Sequence, residues 1–161
     1  MTVAEFNACV EEYADRVYRF IVKNTGHRED AEDIVQSSFE KLWLKHREVA
    51  YGKARSYLFT TAYHTMIDHI RKQNKTDSVG QFSEDTLTQD ADYTGAGDAI
   101  EEALQQLPEI QRTVLLLRDY EGYTYDEIGR ITGLSESQVK VYIFRARKAM
   151  KKLLVSIDRL I

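Results

Sequence analysis

Cysteine and proline are almost missing from this chain: Cys9 and Pro108 are the only ones in 161 residues. A lone thiol excludes an internal disulfide and any zinc site built from several cysteines. With one proline, only one position can break a helix by removing its N–H. No apolar run approaches the ~20 residues that cross a bilayer, so stable membrane insertion is not expected. The stretch from Met1 to Tyr18 lacks a basic n-region and an apolar h-region, and does not read as a secretory signal. These absences point to the reducing cytoplasm. His27, His46, His64 and His69 show no convergent metal spacing, since His64 and His69 are five apart and do not share a helix face. Glycine-rich phosphate loops and nucleophile elbows are missing too. Neither metal, cofactor nor enzymatic activity is expected.

What is present is enough apolar material for a core, 43% of residues, which argues against global disorder. The net charge of −4 conceals a segregation along the chain. Residues 1–75 carry 12 basic and 11 acidic side chains, whereas residues 76–111 carry nine acidic and none basic. Residues 135–161 carry seven basic against two acidic. DNA responds to a local basic face rather than to whole-chain charge, so the last segment is a candidate for a nucleic-acid partner.

Apolar spacing is helical almost throughout, with no sustained alternation of period two. Phe6, Cys9, Val10, Tyr13, Val17, Phe20 and Ile21 recur at three- and four-residue steps, predicting a helix from about Glu5 to Asn24 that ends at Gly26. Asp30 is expected to cap a second helix with the stripe Ala31, Ile34, Val35, Phe39, Leu42 and Trp43. Gly52 marks a loop before a third helix, from about Ala54 to Lys72. Residues 74–97 are rich in Asp, Ser, Thr and Gly without a helical stripe, and read as an interdomain linker. A second block opens with Asp98 as a cap and Ile100, Ala103, Leu104 and Leu107 on one face. Pro108 stands in the first turn of the next helix, whose buried side is Val114, Leu115 and Leu117. The fold class is all-α: two small helical domains joined by a flexible acidic linker.

Two short helices then carry the clearest motif. Thr124 to Glu127 and Ser135 to Gln138 are capping boxes, with the tight turn Gly133-Leu134 between them. Gly129, Gly133 and Val139 follow a helix-turn-helix spacing, with Ile128, Leu134 and Val139 placed to meet where the helices cross. The helix after Ser135 would enter a major groove by its N-terminal part, bringing Arg145, Arg147 and Lys148 near phosphates.

Gly122-Tyr123-Thr124-Tyr125-Asp126-Glu127-Ile128-Gly129, Gly133-Leu134-Ser135 and the run Val139 to Lys148 resemble the −35-binding domain of extracytoplasmic-function RNA polymerase sigma factors. Leu107 to Val114 is similar to the stretch that opens that domain's core. Asp30-Ala31-Glu32-Asp33-Ile34-Val35-Gln36, with Phe39 and Leu42-Trp43, resembles the family's polymerase-binding helix. Arg55 to Phe59 with Ile67 to Lys72 resembles its −10-binding helix. The resemblance implies a transcription initiation factor that binds core RNA polymerase, recognises −10 and −35 elements and assists melting. Residues 1–74 would serve the polymerase and the −10 element, 75–97 would be the linker threading a positively lined cleft, and 98–161 would read the −35 element. It implies polymerase contacts at Asp30, Asp33, Gln36 and Glu40, and −10 contacts at Tyr57, Phe59, Tyr63, His64, Arg71 and Lys72. A flipped base would be held by the loop from Arg47 to Lys53 and the helix after it. The implied −35 set is Ser137, Lys140, Val141, Phe144, Arg145, Arg147 and Lys148. The implied partners are core polymerase, promoter DNA and an anti-sigma factor, with a monomer when free. Two departures bear on promoter choice: His64 stands where the family usually has asparagine, and Val141 and Tyr142 stand where small polar and basic residues are common. A stand-alone regulator of the response-regulator output type is the alternative, and it leaves the first block unexplained.

Overall fold

A computed structural model describes residues 1–77 and 96–160, which fall in two units, Met1–Leu87 and Thr88–Ile161. The first is built from α1 (Val3–Thr25), α2 (Arg28–Lys45) and α3 (Ala54–Asp77), with a 3₁₀ turn over Tyr51–Lys53 leading into α3. Thr2 and Glu5 form a reciprocal capping box at the start of α1, a signal the sequence reading passed over. Gly26 closes α1 at φ 74°, where its N–H donates to the Val22 carbonyl. Each helix packs on the other two. The shared interior holds Val17, Ile21, Leu42, Leu58, Phe59 and Met66, all fully buried. Each large apolar side chain buried there contributes about 1.5–3 kcal/mol. Cys9 is buried as well, and burial followed by the nearby carboxylates of Glu12 and Glu5 pushes its thiol up.

Several expectations change here. The residue capping α2 is His27, not Asp30, and it caps without a side-chain hydrogen bond. Asp30 lies in the first helical turn, where its charge still suits the positive end of the helix dipole. Trp43 is 43% exposed and Val10 37% exposed, so neither is core. One flank of Trp43 meets the edge of Phe6 at 5.0 Å, and the indole stacks on His46 at 4.4 Å. α3 continues past Lys72 to Asp77, and α4 begins at Ala96, two residues before the expected cap Asp98. The expected flexibility of the linker falls mainly on residues 78–95, outside the described ones.

The second unit contains α4 (Ala96–Gln106), α5 (Glu109–Leu115), α6 (Tyr125–Thr132) and α7 (Glu136–Leu160). Pro108 is the N-cap residue of α5, immediately before its first helical turn. α5 widens into a π-helical turn over Leu116–Tyr120, where the Glu121 N–H reaches back to the Leu116 carbonyl at 3.2 Å. α4, α5 and α6 all pack against α7. Arg112 is buried, and one of its guanidinium nitrogens donates to the Leu104, Gln105 and Leu107 carbonyls at 3.4 Å each. Leu104 and Gln105 stand in the last turn of α4 and Leu107 just beyond it, where carbonyls run short of intrahelical partners. Burial pulls the Arg112 pKa down, against the pull of Glu109.

The crossing of α6 and α7 rests on two glycines. Gly133 ends α6 at φ 81°, a left-handed conformation in which a Cβ is strained. A Cβ on Gly129 would stand 2.7 Å from the Leu134 backbone carbonyl oxygen. Gly129→Ala should therefore destabilise the chain by a net ~1–2 kcal/mol, overpacking outweighing the helix propensity gained. Denaturant unfolding reads this directly, and an unchanged midpoint would mean that the turn has room to spare.

Candidate nucleic-acid interface

The helix-turn-helix presents α7. Thr124 caps α6 by accepting from the Glu127 N–H at 3.1 Å. Ser135 accepts from the Gln138 N–H at 3.1 Å, and the Gln138 side chain accepts from the Ser135 N–H at 2.9 Å. This second box is reciprocal and starts α7 at a fixed point. Val139, Ile143 and Ala146 are buried along one side of α7. Helical periodicity then turns Ser137, Val141, Phe144, Arg145 and Lys148 away from the core, and all five are exposed. Phe144 is 67% exposed and Val141 45% exposed. Two apolar side chains among cations suit base edges and thymine methyl groups, with phosphates alongside.

Two of the expected −35 residues sit differently. Lys140 is exposed, but its ammonium lies 3.6 Å from Glu136 and 5.7 Å above the Tyr125 ring. Arg147 is on the flank between the buried and outward sides of α7, and its guanidinium is engaged by Asp119. Nη2 donates to one carboxylate oxygen at 2.5 Å and Nε to the other at 3.3 Å. That hydrogen bond raises the Arg147 pKa despite partial burial. Where a phosphate contact was the expectation, the planar fork is already matched to a carboxylate. Arg118 completes the surroundings, lying 4.7 Å from the Tyr125 ring and donating to the Tyr123 carbonyl at 2.9 Å. The sequence reading missed the Asp119–Arg147 pair, whose members are 28 residues apart and share no local periodicity.

In the first unit the expected −10 residues divide by burial. Phe59 is fully buried and packs on Phe20 at 5.4 Å. Tyr63 is 7% exposed. Neither ring face is offered to a base, so both are corrected to core positions. Tyr57 is half-buried, its hydroxyl 3.5 Å from the Lys41 carbonyl. His64, Arg71 and Lys72 are exposed, and His64 meets the edge of Tyr63 at 5.4 Å.

On α2, Asp33, Gln36 and Glu40 are exposed on one helical face, with Gln36 donating to Glu40 at 3.4 Å. Leu44 continues that face and is 82% exposed. It is out of phase with the buried stripe, a signal that was present in the sequence. Asp30 belongs elsewhere: half-buried, it faces His69 at 3.2 Å and Gln73 at 3.4 Å on α3. It ties α2 to α3. Among the described residues, no group of histidine, cysteine and carboxylate side chains could hold a metal ion. No described helix is long and apolar enough to cross a membrane.

Comparison with known proteins finds two family matches in order. Residues 9–76 match Sigma-70 region 2, and residues 97–150 match Sigma-70, region 4. The chain is 27% identical to the ECF RNA polymerase sigma factor SigM of Bacillus subtilis, covering 88% of this chain and 90% of that one. It is 28% identical to the RNA polymerase sigma factor SigV of the same organism, covering 98% and 95%. Among solved structures it resembles the sigma factor RpoE, determined with the anti-sigma factor NepR from Bartonella quintana. The TM-score is 0.82 at 26% identity, over 94% of this chain and 98% of that one.

Proposed function

Because the chain belongs to the sigma-70 family, as an RNA polymerase sigma factor of the extracytoplasmic-function type, we propose that its exposed side chains divide the work of promoter selection as follows. The carrying observation is that region 2 and region 4 match in order, one on each unit. The protein binds core RNA polymerase and directs it to promoters, and it is a regulatory protein rather than an enzyme. A response-regulator output module accounts for the second unit alone and is not favoured.

The face Asp33, Gln36, Glu40 and Leu44 docks on polymerase. Tyr57, His64, Arg71 and Lys72 serve the −10 element, where a base flipped from the non-template strand is held. Unstacking costs a few kcal/mol, roughly, which a shaped pocket with an aromatic wall offsets. Ser137, Val141 and Phe144 read the −35 element, Lys140 reaches its edge, and Arg145 and Lys148 meet phosphates. Residues 1–74 and 98–161 are the two working domains, and the connector 75–97 links them. An anti-sigma factor is a further partner, supported by the solved RpoE–NepR complex. The protein acts in the cytoplasm and is a monomer when free.

The test is selection. The full chain with core polymerase is offered a library randomised at both elements, and the recovered sequences are transcribed. A defined pair of motifs and run-off product are expected; failure of the chain to be retained by core polymerase would overturn the reading. His64→Asn is carried in parallel. An asparagine amide and a neutral imidazole both offer a donor and an acceptor, but only the imidazole also offers a stacking ring. A changed preference at one −10 non-template base is expected, and identical motifs would leave His64 as surface filling.

A further inference from the structure

The Asp119–Arg147 pair does something that packing alone does not. Val139, Ile143 and Ala146 seat α7 through aliphatic contacts, which are non-directional and resist a roll of the helix weakly. A bidentate guanidinium–carboxylate contact is directional and fixes an angle. Asp119 stands on the π-helical turn Leu116–Tyr120, and such a turn shifts the side chains after it out of ordinary helical phase. From within the turn the Asp119 carboxylate meets Arg147 on the flank of α7, beside the outward face that holds Val141 and Phe144. The Arg147 side chain is 50% exposed and that of Asp119 39%, so the pair adds little to global stability.

We infer that Asp119 and Arg147 are a positioning pair that sets the rotation of α7 on its core, so that −35 discrimination depends on a contact made by neither residue with DNA. This rests on the reading of α7 as the −35 helix. Two roles for Arg147 make opposite forecasts. A phosphate contact contributes to every sequence alike and to the salt slope. A positioning residue changes matched sites more than scrambled ones and leaves the slope alone.

The experiment uses holoenzyme assembled from the full chain and core polymerase. Duplexes share one −10 element and carry either the selected −35 sequence or a scrambled one, and binding is titrated against salt. Asp119→Asn and Arg147→Lys are each expected to lose about fivefold in matched-to-scrambled discrimination, the scale of an exposed pair, with unchanged slope and melting temperature. Lysine keeps the charge but not the fork, so a phosphate contact would survive that change. The exchange D119R/R147D should restore discrimination. Lys148→Ala, the comparator, should weaken both duplexes alike and lower the slope by about one. Discrimination retained in Asp119→Asn and Arg147→Lys would overturn the inference, as would equal losses on both duplexes with a reduced slope. A wild type that cannot tell the two duplexes apart would overturn the −35 reading itself.

Discussion

Truncating Phe59 to alanine should unfold the first unit, at a cost of about 3–5 kcal/mol, whereas Tyr57→Ala two residues earlier should leave it folded. Both aromatics lie on α3 within a segment resembling the −10-binding helix, yet they point to different surroundings. Phe59 is fully buried against Phe20, so truncation removes its apolar burial and leaves a cavity among close-packed neighbours. Tyr57 is half-buried, and its hydroxyl has only a long approach to the Lys41 carbonyl. Its loss is expected at the level of promoter melting, read as a smaller open-complex signal from holoenzyme at a selected promoter. Circular dichroism with denaturant separates the two variants. A native-like midpoint for Phe59→Ala would contradict the burial argument. Undiminished open complex with Tyr57→Ala would remove that ring from the −10 pocket.

A tenfold or greater loss of affinity for core polymerase, roughly, is expected when Asp33→Arg and Gln36→Ala are combined, with no loss of folding. Asp33, Gln36 and Glu40 are exposed along one face of α2 and leave the buried stripe Ala31, Ile34 and Leu42 untouched. Exposed substitutions of this kind move stability by only about 0.5 kcal/mol. Reversing a charge at a docking surface instead places like charges together if the partner is basic there. Fluorescence anisotropy of labelled full chain against core polymerase measures the effect, and unchanged affinity would take the docking face away from α2. Leu44 offers an independent check on the same surface, since an 82% exposed leucine gains most by being covered. Leu44→Ser should weaken the complex while leaving the free protein's unfolding midpoint unchanged.

Both predictions turn on something the sequence carries only in part. Helical periodicity was legible, and with it the order of the elements, Gly26 as a C-cap, both glycines of the helix-turn-helix and the Ser135–Gln138 box. These are signals of a few residues each, decided by local geometry. Burial at the margins was not legible. Phe39, Trp43 and Phe59 look equally apolar in sequence, but only the third is fully buried; Phe39 is half-buried and Trp43 lies against Phe6 and His46 at the rim. Long-range polar pairing was equally hidden. Asp30 with His69 and Gln73, and Asp119 with Arg147, join residues from different helices, and no spacing rule predicts such partners. As a result, two charged residues assigned to outside partners turn out to be engaged within the protein.

Arg112 has a mechanical consequence. The junction between α4 and α5 holds the chain's only proline, at Pro108, where a hinge would be the simple expectation. Instead one guanidinium on α5 reaches back to the Leu104 and Gln105 carbonyls in the last turn of α4 and to that of Leu107 in the junction, and α4 also lies against α7. Bending at Pro108 would draw the guanidinium away from the buried contacts with the Leu104 and Leu107 carbonyls, which is costly where the dielectric is low. The joint is locked. A tug on the chain where it enters at Ala96 is therefore not absorbed at the proline; it turns α4, α5 and the helix-turn-helix together, like a key and its shaft.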